Sequence, residues 1–159
     1  MKSKETKIQD TRRAAAILGA SERLPLAVYG TLRPGFGNHR LLAGRSRREE
    51  PGLVEGYELL VDRIPFARRR AGRCVVVEVV WPIPAVYDKV LADVDYLEGY
   101  DPSGDPAENL YRRVAVTATT GQDEHVRAWL YEVGPLGESF LPSRVVHVPS
   151  GDYADVEYR

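Results

Sequence analysis

Glu98 is the residue whose position in the sequence most suggests acid/base chemistry. A helical face leads up to it, with apolar residues at spacings of four, four and three: Val86, Val90, Val94 and Leu97. Because Glu98 lies four residues after Val94, a helix that persists to its end directs the carboxylate along this face. A carboxylate aimed at a core must be hydrogen-bonded or have a raised pKa, and a raised pKa suits a general acid/base near neutral pH. The spacing alone favours an ordinary last-turn glutamate turned to solvent before Gly99, and leaves the catalytic interpretation open.

A turn bracketed by Gly30 and Gly35 follows the apolar run from Leu26 to Tyr29. Such a turn can expose successive backbone N–H groups as a nest that holds a carboxylate or an oxyanion. The candidate substrate-binding residues are Tyr29, Gly30, Thr31 and Leu32. The glycine spacing is that of a phosphate loop, but Phe36 and Gly37 stand where that motif needs Lys and Ser or Thr. Nucleotide binding is therefore not expected, and a plain strand-to-loop turn is the alternative.

Tyr111 is a third candidate, because it opens a later strand and its hydroxyl could donate a hydrogen bond to a substrate. A core or rim tyrosine is the commoner case. The three histidines have no ligand-like spacing, and the single cysteine, Cys74, can form neither a disulfide within the chain nor a cysteine-based zinc site. We therefore expect no metal site, and a cytoplasmic location.

The elements that must position these residues are mainly strands. Runs rich in Val, Leu and Tyr predict strands at 26–29, 53–62, 73–81, 111–120, 126–131 and 145–148. Pro65 and Gly72 are expected to separate the second strand from the third, and one internal helix is expected between Pro84 and Gly99. This pattern predicts an α+β domain, a small antiparallel or mixed β-barrel with flanking helices. Residues 1–24 are expected to be an N-terminal extension, mobile or helical, before a single domain at 25–159.

The charge distribution is uneven, although the net charge is −1. Residues 33–73 hold ten arginines and five acidic residues, whereas residues 78–159 hold six Lys or Arg and fifteen acidic residues. The stretch from Arg40 to Arg73 raises the alternative of an anion or nucleic-acid binder. Because few aromatic residues are interleaved with these arginines and the acidic half would repel phosphate, we expect no nucleic-acid partner. No membrane association is expected, since every apolar run is far shorter than the about 20 residues that cross a bilayer.

Four short motifs, in this order along the chain, resemble those of the γ-glutamylcyclotransferase-like family, also called AIG2-like. They are Tyr29-Gly30-Thr31-Leu32-Arg33, Leu97-Glu98-Gly99-Tyr100, Tyr111-Arg112-Arg113 and Ser150-Gly151-Asp152-Tyr153. The resemblance runs from about Leu26 to Tyr153. This resemblance favours a catalytic Glu98 over a last-turn glutamate that is turned to solvent.

The resemblance implies an enzyme that closes a γ-glutamyl group into a ring. The α-amine of the group attacks its own γ-carbonyl, which releases 5-oxoproline and a free amine without a cofactor. Glu98 would be the general acid/base, the backbone of Gly30, Thr31 and Leu32 would hold the glutamyl group, and Tyr111 would donate a hydrogen bond. A binding module that uses the same pocket without turnover is the alternative. The amine released and the oligomeric state stay open.

Overall fold

The computed structural model describes residues 22–121, 123–141 and 145–156, and its largest element is a long β-hairpin. In chain order the elements are β1 (Leu26–Val28), β2 (Ser46–Asp62), β3 (Ile64–Pro82), α1 (Tyr87–Leu97), β4 (Tyr111–Thr120), β5 (His125–Val133), α2 (Pro135–Phe140) and β6 (Val146–Val148). Short 3₁₀ turns at 37–41, 84–86, 106–108 and 153–155 connect them. The predicted N-terminal extension lies outside the described residues except for 22–24.

Five strands close into a mixed barrel. The ring runs β1–β3–β2–β4–β5 and returns from β5 to β1, and β6 pairs with the outer end of β2. Most neighbours are antiparallel, whereas β5 meets β1 and β3 in parallel. Closure leaves few unpaired strand edges, and the inward-facing apolar side chains fill the interior as one core. The predicted barrel-like α+β fold is confirmed.

The hairpin strands are longer than the sequence predicted. β3 continues through both Pro65 and Gly72, which were expected to break it, and the only turn between β2 and β3 is Arg63, at φ 63°. Gly72 instead lies opposite a register shift between Glu55 and Tyr57, where the pairing continues after a β-bulge. Pro65 is the second residue of β3, next to the turn, where a strand tolerates proline.

The predicted internal helix is confirmed, and it covers one side of the barrel. Pro84 begins a 3₁₀ turn that leads into α1, whose inner face buries Tyr87, Val90 and Val94. The Tyr87 hydroxyl donates a hydrogen bond of 2.6 Å to the Leu24 carbonyl, so the first described residues are tied to this helix. No helix in the described ranges combines the length and apolarity that crossing a bilayer requires.

Candidate functional site

The end of β1, the end of α1 and the start of β4 surround a cavity of about 160 Å³. All six residues that the sequence predicted for the site line it: Tyr29, Gly30, Thr31, Leu32, Glu98 and Tyr111. Residues that the sequence did not single out complete the wall: Ala27, Val28, Asn38, Ile64, Pro65, Leu97, Leu110 and Tyr131. The volume lies below the roughly 300–1,000 Å³ of drug-sized sites, so the cavity suits a small ligand or one part of a larger one.

A helix-ending motif sets the position of Glu98. Glu98 is the C-cap of α1, and Gly99 follows in the left-handed conformation at φ 60°. The Tyr100 amide donates to the Asp95 carbonyl at 3.0 Å and the Gly99 amide to the Tyr96 carbonyl at 3.2 Å, which is the Schellman pattern. Because this motif ends the helix at Leu97, Glu98 comes to line the cavity with Leu97 beside it in the chain.

The Glu98 carboxylate has no hydrogen-bond or ion-pair partner among the described residues, although it is only partly exposed. Buried surroundings disfavour the charged form of a carboxyl group, and they raise the pKa of Glu98 from its usual 4.5 to about 7. Near neutral pH the group is therefore divided between its acid and base forms. This is the protonation state that general acid/base catalysis requires.

The loop that follows β1 lines the same cavity as Glu98. Within the described residues, the amide N–H groups of Gly30, Thr31 and Leu32 donate no hydrogen bond to any other residue. The three amides are therefore available to a ligand oxygen. Gly30 is required by close packing, because a Cβ there would come within 2.5 Å of the Pro65 Cγ. Its backbone thus lies where a side chain could not fit.

Side-chain and backbone contacts hold this loop in place. Asn38 donates its side-chain amide to the Thr31 hydroxyl at 2.8 Å and its backbone amide to the Thr31 carbonyl at 3.0 Å. Arg33 forms an ion pair of 2.6 Å with Asp152, which joins the first of the four sequence motifs to the last. The pair is largely shielded from solvent, with 15% and 28% of the two side chains exposed. The loop therefore has a fixed shape before a ligand arrives.

The tyrosine hydroxyls of the cavity are already engaged within the protein. Tyr29 donates to the Tyr131 carbonyl at 2.6 Å and accepts from the Ala67 amide at 3.0 Å. Tyr111 donates to the Pro65 carbonyl, so its single proton is committed to the backbone rather than to a ligand. Burial first, and then the charge of Glu98, raises the pKa of Tyr29 well above its usual value. The pKa of Tyr111 is raised mainly by burial, with smaller effects of Tyr29 and Glu98.

Sequence reasoning missed the residues that reach the cavity from distant parts of the chain. Asn38 follows the nest within a 3₁₀ turn, while Tyr131 comes from β5 and Ile64 from the hairpin tip. The alternation of β5 predicted which strand Tyr131 belongs to, but no local signal shows that β5 reaches β1. Among the described residues, no three His, Cys, Asp or Glu side chains are grouped so that they could hold a metal ion.

The chain is similar to known proteins in sequence and in fold. A family model described as gamma-glutamyl cyclotransferase, AIG2-like, matches residues 26–155. A relative from Methanocaldococcus jannaschii, named as a candidate gamma-glutamylcyclotransferase, is 31% identical over 130 residues, which cover 80% of this chain and 93% of the relative. The crystal structure of an uncharacterised protein from Pyrococcus horikoshii has a TM-score of 0.56 at 26% identity, over 83% of this chain and 91% of that one. A solution structure from Arabidopsis thaliana has a TM-score of 0.53 at 20% identity, over 71% and 70% of the two chains, and supports the fold alone.

Proposed function

The chain belongs to the gamma-glutamyl cyclotransferase, AIG2-like family, and we propose that it converts a γ-glutamyl amide to 5-oxoproline and a free amine. The observation that carries this proposal is the Glu98 carboxylate, with a pKa of about 7 and no partner among the described residues, on a cavity also lined by three backbone amides that bond to none of these residues. The amides suit the anionic end of a γ-glutamyl group, and the carboxylate suits the proton transfers that ring closure needs.

The proposed reaction is an exchange of one C–N bond for another. The α-amine of the substrate attacks the γ-carbonyl carbon, a ring C–N bond forms, and the original amide C–N bond breaks. The α-ammonium loses two protons on becoming the lactam N–H, and the departing nitrogen gains two protons when it leaves as an ammonium. Ionised Glu98 takes these two protons one at a time from the attacking nitrogen, first from the ammonium and then after ring closure, and delivers each to the departing nitrogen. Because one residue works in both directions, the reaction needs no second acid/base.

The loop supplies position and charge stabilisation in this proposal. The amides of Gly30, Thr31 and Leu32 hold the glutamyl group in the folded conformation from which its amine can reach its own carbonyl. Intramolecular attack makes such positioning a large part of the rate enhancement. Tyr29 and Tyr111 form the apolar walls that keep Glu98 partly out of water. The hydrogen-bond donor role that the sequence suggested for Tyr111 would require its hydroxyl to leave the Pro65 carbonyl.

Two other functions are less well supported. A binding module without turnover would need the nest but gains nothing from an unpaired carboxylate, which costs folding free energy. An anion or nucleic-acid binder would use the arginine-rich stretch, but many of those arginines are paired with acidic residues of the same domain. These pairs are Arg45 with Asp93, Arg48 with Glu50, Arg68 and Arg70 with Glu58, and Arg69 with Glu132. The proposed partner is therefore a small γ-glutamyl compound.

The test is the release of 5-oxoproline from γ-glutamyl compounds by the purified protein, followed as a function of pH. Because ionised Glu98 starts the reaction, kcat/KM should rise with pH and level off above about 7. The ionised fraction, and with it kcat/KM, falls about tenfold for each pH unit well below that value. Absence of 5-oxoproline from all compounds, alongside tight binding of a γ-glutamyl analogue in calorimetry, would instead support the binding module.

A further inference from the structure

The last turn of α1 is bonded to the barrel through Asp95, three residues before Glu98. The Tyr131 hydroxyl of β5 donates a hydrogen bond of 2.5 Å to the Asp95 Oδ1 atom, and the Arg113 Nε atom of β4 lies 3.5 Å from the same oxygen. Arg113 and Tyr131 are direct partners in the β4–β5 ladder, so one carboxylate oxygen joins the helix to two strands. Only 16% of each charged side chain is exposed, which shields the ion pair from solvent.

Asp95 also belongs to the motif that ends the helix. Its backbone carbonyl accepts the Tyr100 amide at 3.0 Å and so closes the Schellman turn around Glu98 and Gly99. Positions three apart lie on the same face of a helix, so the Asp95 carboxylate leaves α1 on the side from which Glu98 reaches the cavity. Asp95 therefore contributes both to where the last turn lies and to where it stops.

Tyr131 connects this end of the helix to the loop after β1. It lines the cavity together with Glu98, and its carbonyl accepts the Tyr29 hydroxyl at 2.6 Å. Tyr29 is the residue before Gly30, where the free backbone amides begin. Hydrogen bonds thus link the Asp95 carboxylate, through Tyr131, to the loop on the other side of the site. The spacing between the two halves of the site depends on contacts that no ligand makes.

Arg113 makes Asp95 necessary for a second reason. Its guanidinium lies over the rings of Trp129 at 4.8 Å and Tyr100 at 5.6 Å, and its Nη1 atom is buried with no hydrogen-bond partner among the described residues. Within the described part of the chain, Asp95 is the acidic side chain paired with it. Burial raises the pKa of Asp95, whereas the Tyr131 hydrogen bond and the Arg113 charge oppose that rise. Loss of the carboxylate would leave the buried cation uncompensated.

We propose that Asp95 is a positioning residue for the reaction: by holding the last turn of α1 against β4 and β5, it keeps the Glu98 carboxylate at the cavity, at a fixed distance from the backbone amides of the loop after β1. This inference rests on the proposed function and adds a residue that acts through Glu98 without touching the substrate. When the bonds to Asp95 are removed, the last turn moves, water reaches Glu98, and its pKa falls from about 7 toward 4.5.

Two variants separate the bonds of Asp95 from its charge. Tyr131→Phe removes one hydroxyl and keeps the ion pair between Asp95 and Arg113, whereas Asp95→Asn keeps the shape of the side chain and removes its charge. In both variants, NMR titration of the Glu98 carboxyl carbon should give a pKa at least about one unit below the parental value. For 5-oxoproline release at pH 8, kcat should fall at least about tenfold while KM stays within about threefold, because the backbone amides are unchanged.

Asp88→Asn is the matched control, since it makes the same substitution at the exposed start of α1, where 87% of the side chain is in solvent. It should change neither the pKa of Glu98 nor kcat. Parental values of both quantities in a Tyr131→Phe protein that is folded by circular dichroism would overturn the proposal, even if the melting temperature falls. A change confined to Asp95→Asn would overturn it as well, because it would show that Asp95 acts by its charge.

The titration needs no substrate, so it distinguishes failure of this inference from failure of the proposed function. A parent protein that releases no 5-oxoproline from any γ-glutamyl compound would overturn the proposed function. A lower Glu98 pKa in both variants would still establish that Asp95 positions Glu98. If Asp95→Asn does not fold, Tyr131→Phe decides the question alone, because it leaves Arg113 paired.

Discussion

Replacing Glu98 with glutamine should make the protein inactive and, at alkaline pH, more stable. Burial raises the pKa of this carboxyl from 4.5 to about 7, so between these values the native state binds more protons than the unfolded chain. The free energy of unfolding therefore falls as pH rises through this window. At about 1.4 kcal/mol for each pKa unit, the ionised carboxylate costs about 3 kcal/mol at most, and less where cavity water screens it.

Glutamine keeps the size and polarity of the side chain but carries no charge at any pH. Measured by urea unfolding, Glu98→Gln should gain up to about 3 kcal/mol over the parent at pH 8 and under about 1 kcal/mol at pH 5. Turnover should fall by about 10²- to 10⁴-fold, the usual contribution of one general acid/base. The two effects share one cause, the unpaired carboxylate on the cavity.

Glu138→Gln is the matched control, because Glu138 is an exposed carboxylate on α2 with 46% of its side chain in solvent. This variant should leave the rate of 5-oxoproline release unchanged. A Glu98→Gln protein that releases 5-oxoproline at the parental rate would refute the catalytic assignment. A stability difference that stays constant from pH 5 to pH 8 would refute the argument from burial, whatever the rate.

Three further predictions concern the loop and the chemistry. Gly30→Ala should weaken binding of an inert γ-glutamyl analogue in calorimetry by at least about tenfold, because its Cβ would meet the Pro65 Cγ at 2.5 Å and displace the nest; near-parental affinity in a folded variant would place the substrate elsewhere. Thr31→Ala should cost less than about 1.5 kcal/mol of binding, since the proposed contact is made by the backbone amide and the hydroxyl only accepts from Asn38. Exhaustive chelation should leave 5-oxoproline release unchanged, and a loss that one metal restores would disprove a metal-free mechanism.

Local pattern was sufficient to predict the helix, its end and most of the strands. The spacing of Val86, Val90 and Val94 reflects the 3.6-residue period of a helix, and a glycine after the last turn is the usual cap. Both signals arise within a few residues of the chain, so they can be read from the sequence without knowledge of the fold. The strand that ends at Val28, and the turn that follows it, could be located for the same reason.

Local pattern failed where a long-range pairing overruled it. Gly72 and Pro65 are breakers in isolation, but β2 pairs with β3 on both sides of Gly72, and a bulge absorbs the irregularity. The many ladder contacts of the hairpin outweigh the preference of single residues. The local sequence around Pro65 and Gly72 could not predict this pairing, because it does not show which strand will lie opposite β3.

The same distinction between local and long-range information applies to the candidate site. The sequence by itself determined that Glu98 stands at a helix end and that glycines bracket a turn after the first strand. Only the tertiary structure decided that these two features face one cavity, that Glu98 finds no partner among the described residues, and that the Tyr111 proton goes to the Pro65 carbonyl. The physical reason is barrel closure: pairing β5 with β1 brings together residues about a hundred positions apart, and solvent exclusion between them, which no local segment encodes, raises the pKa of the carboxyl group.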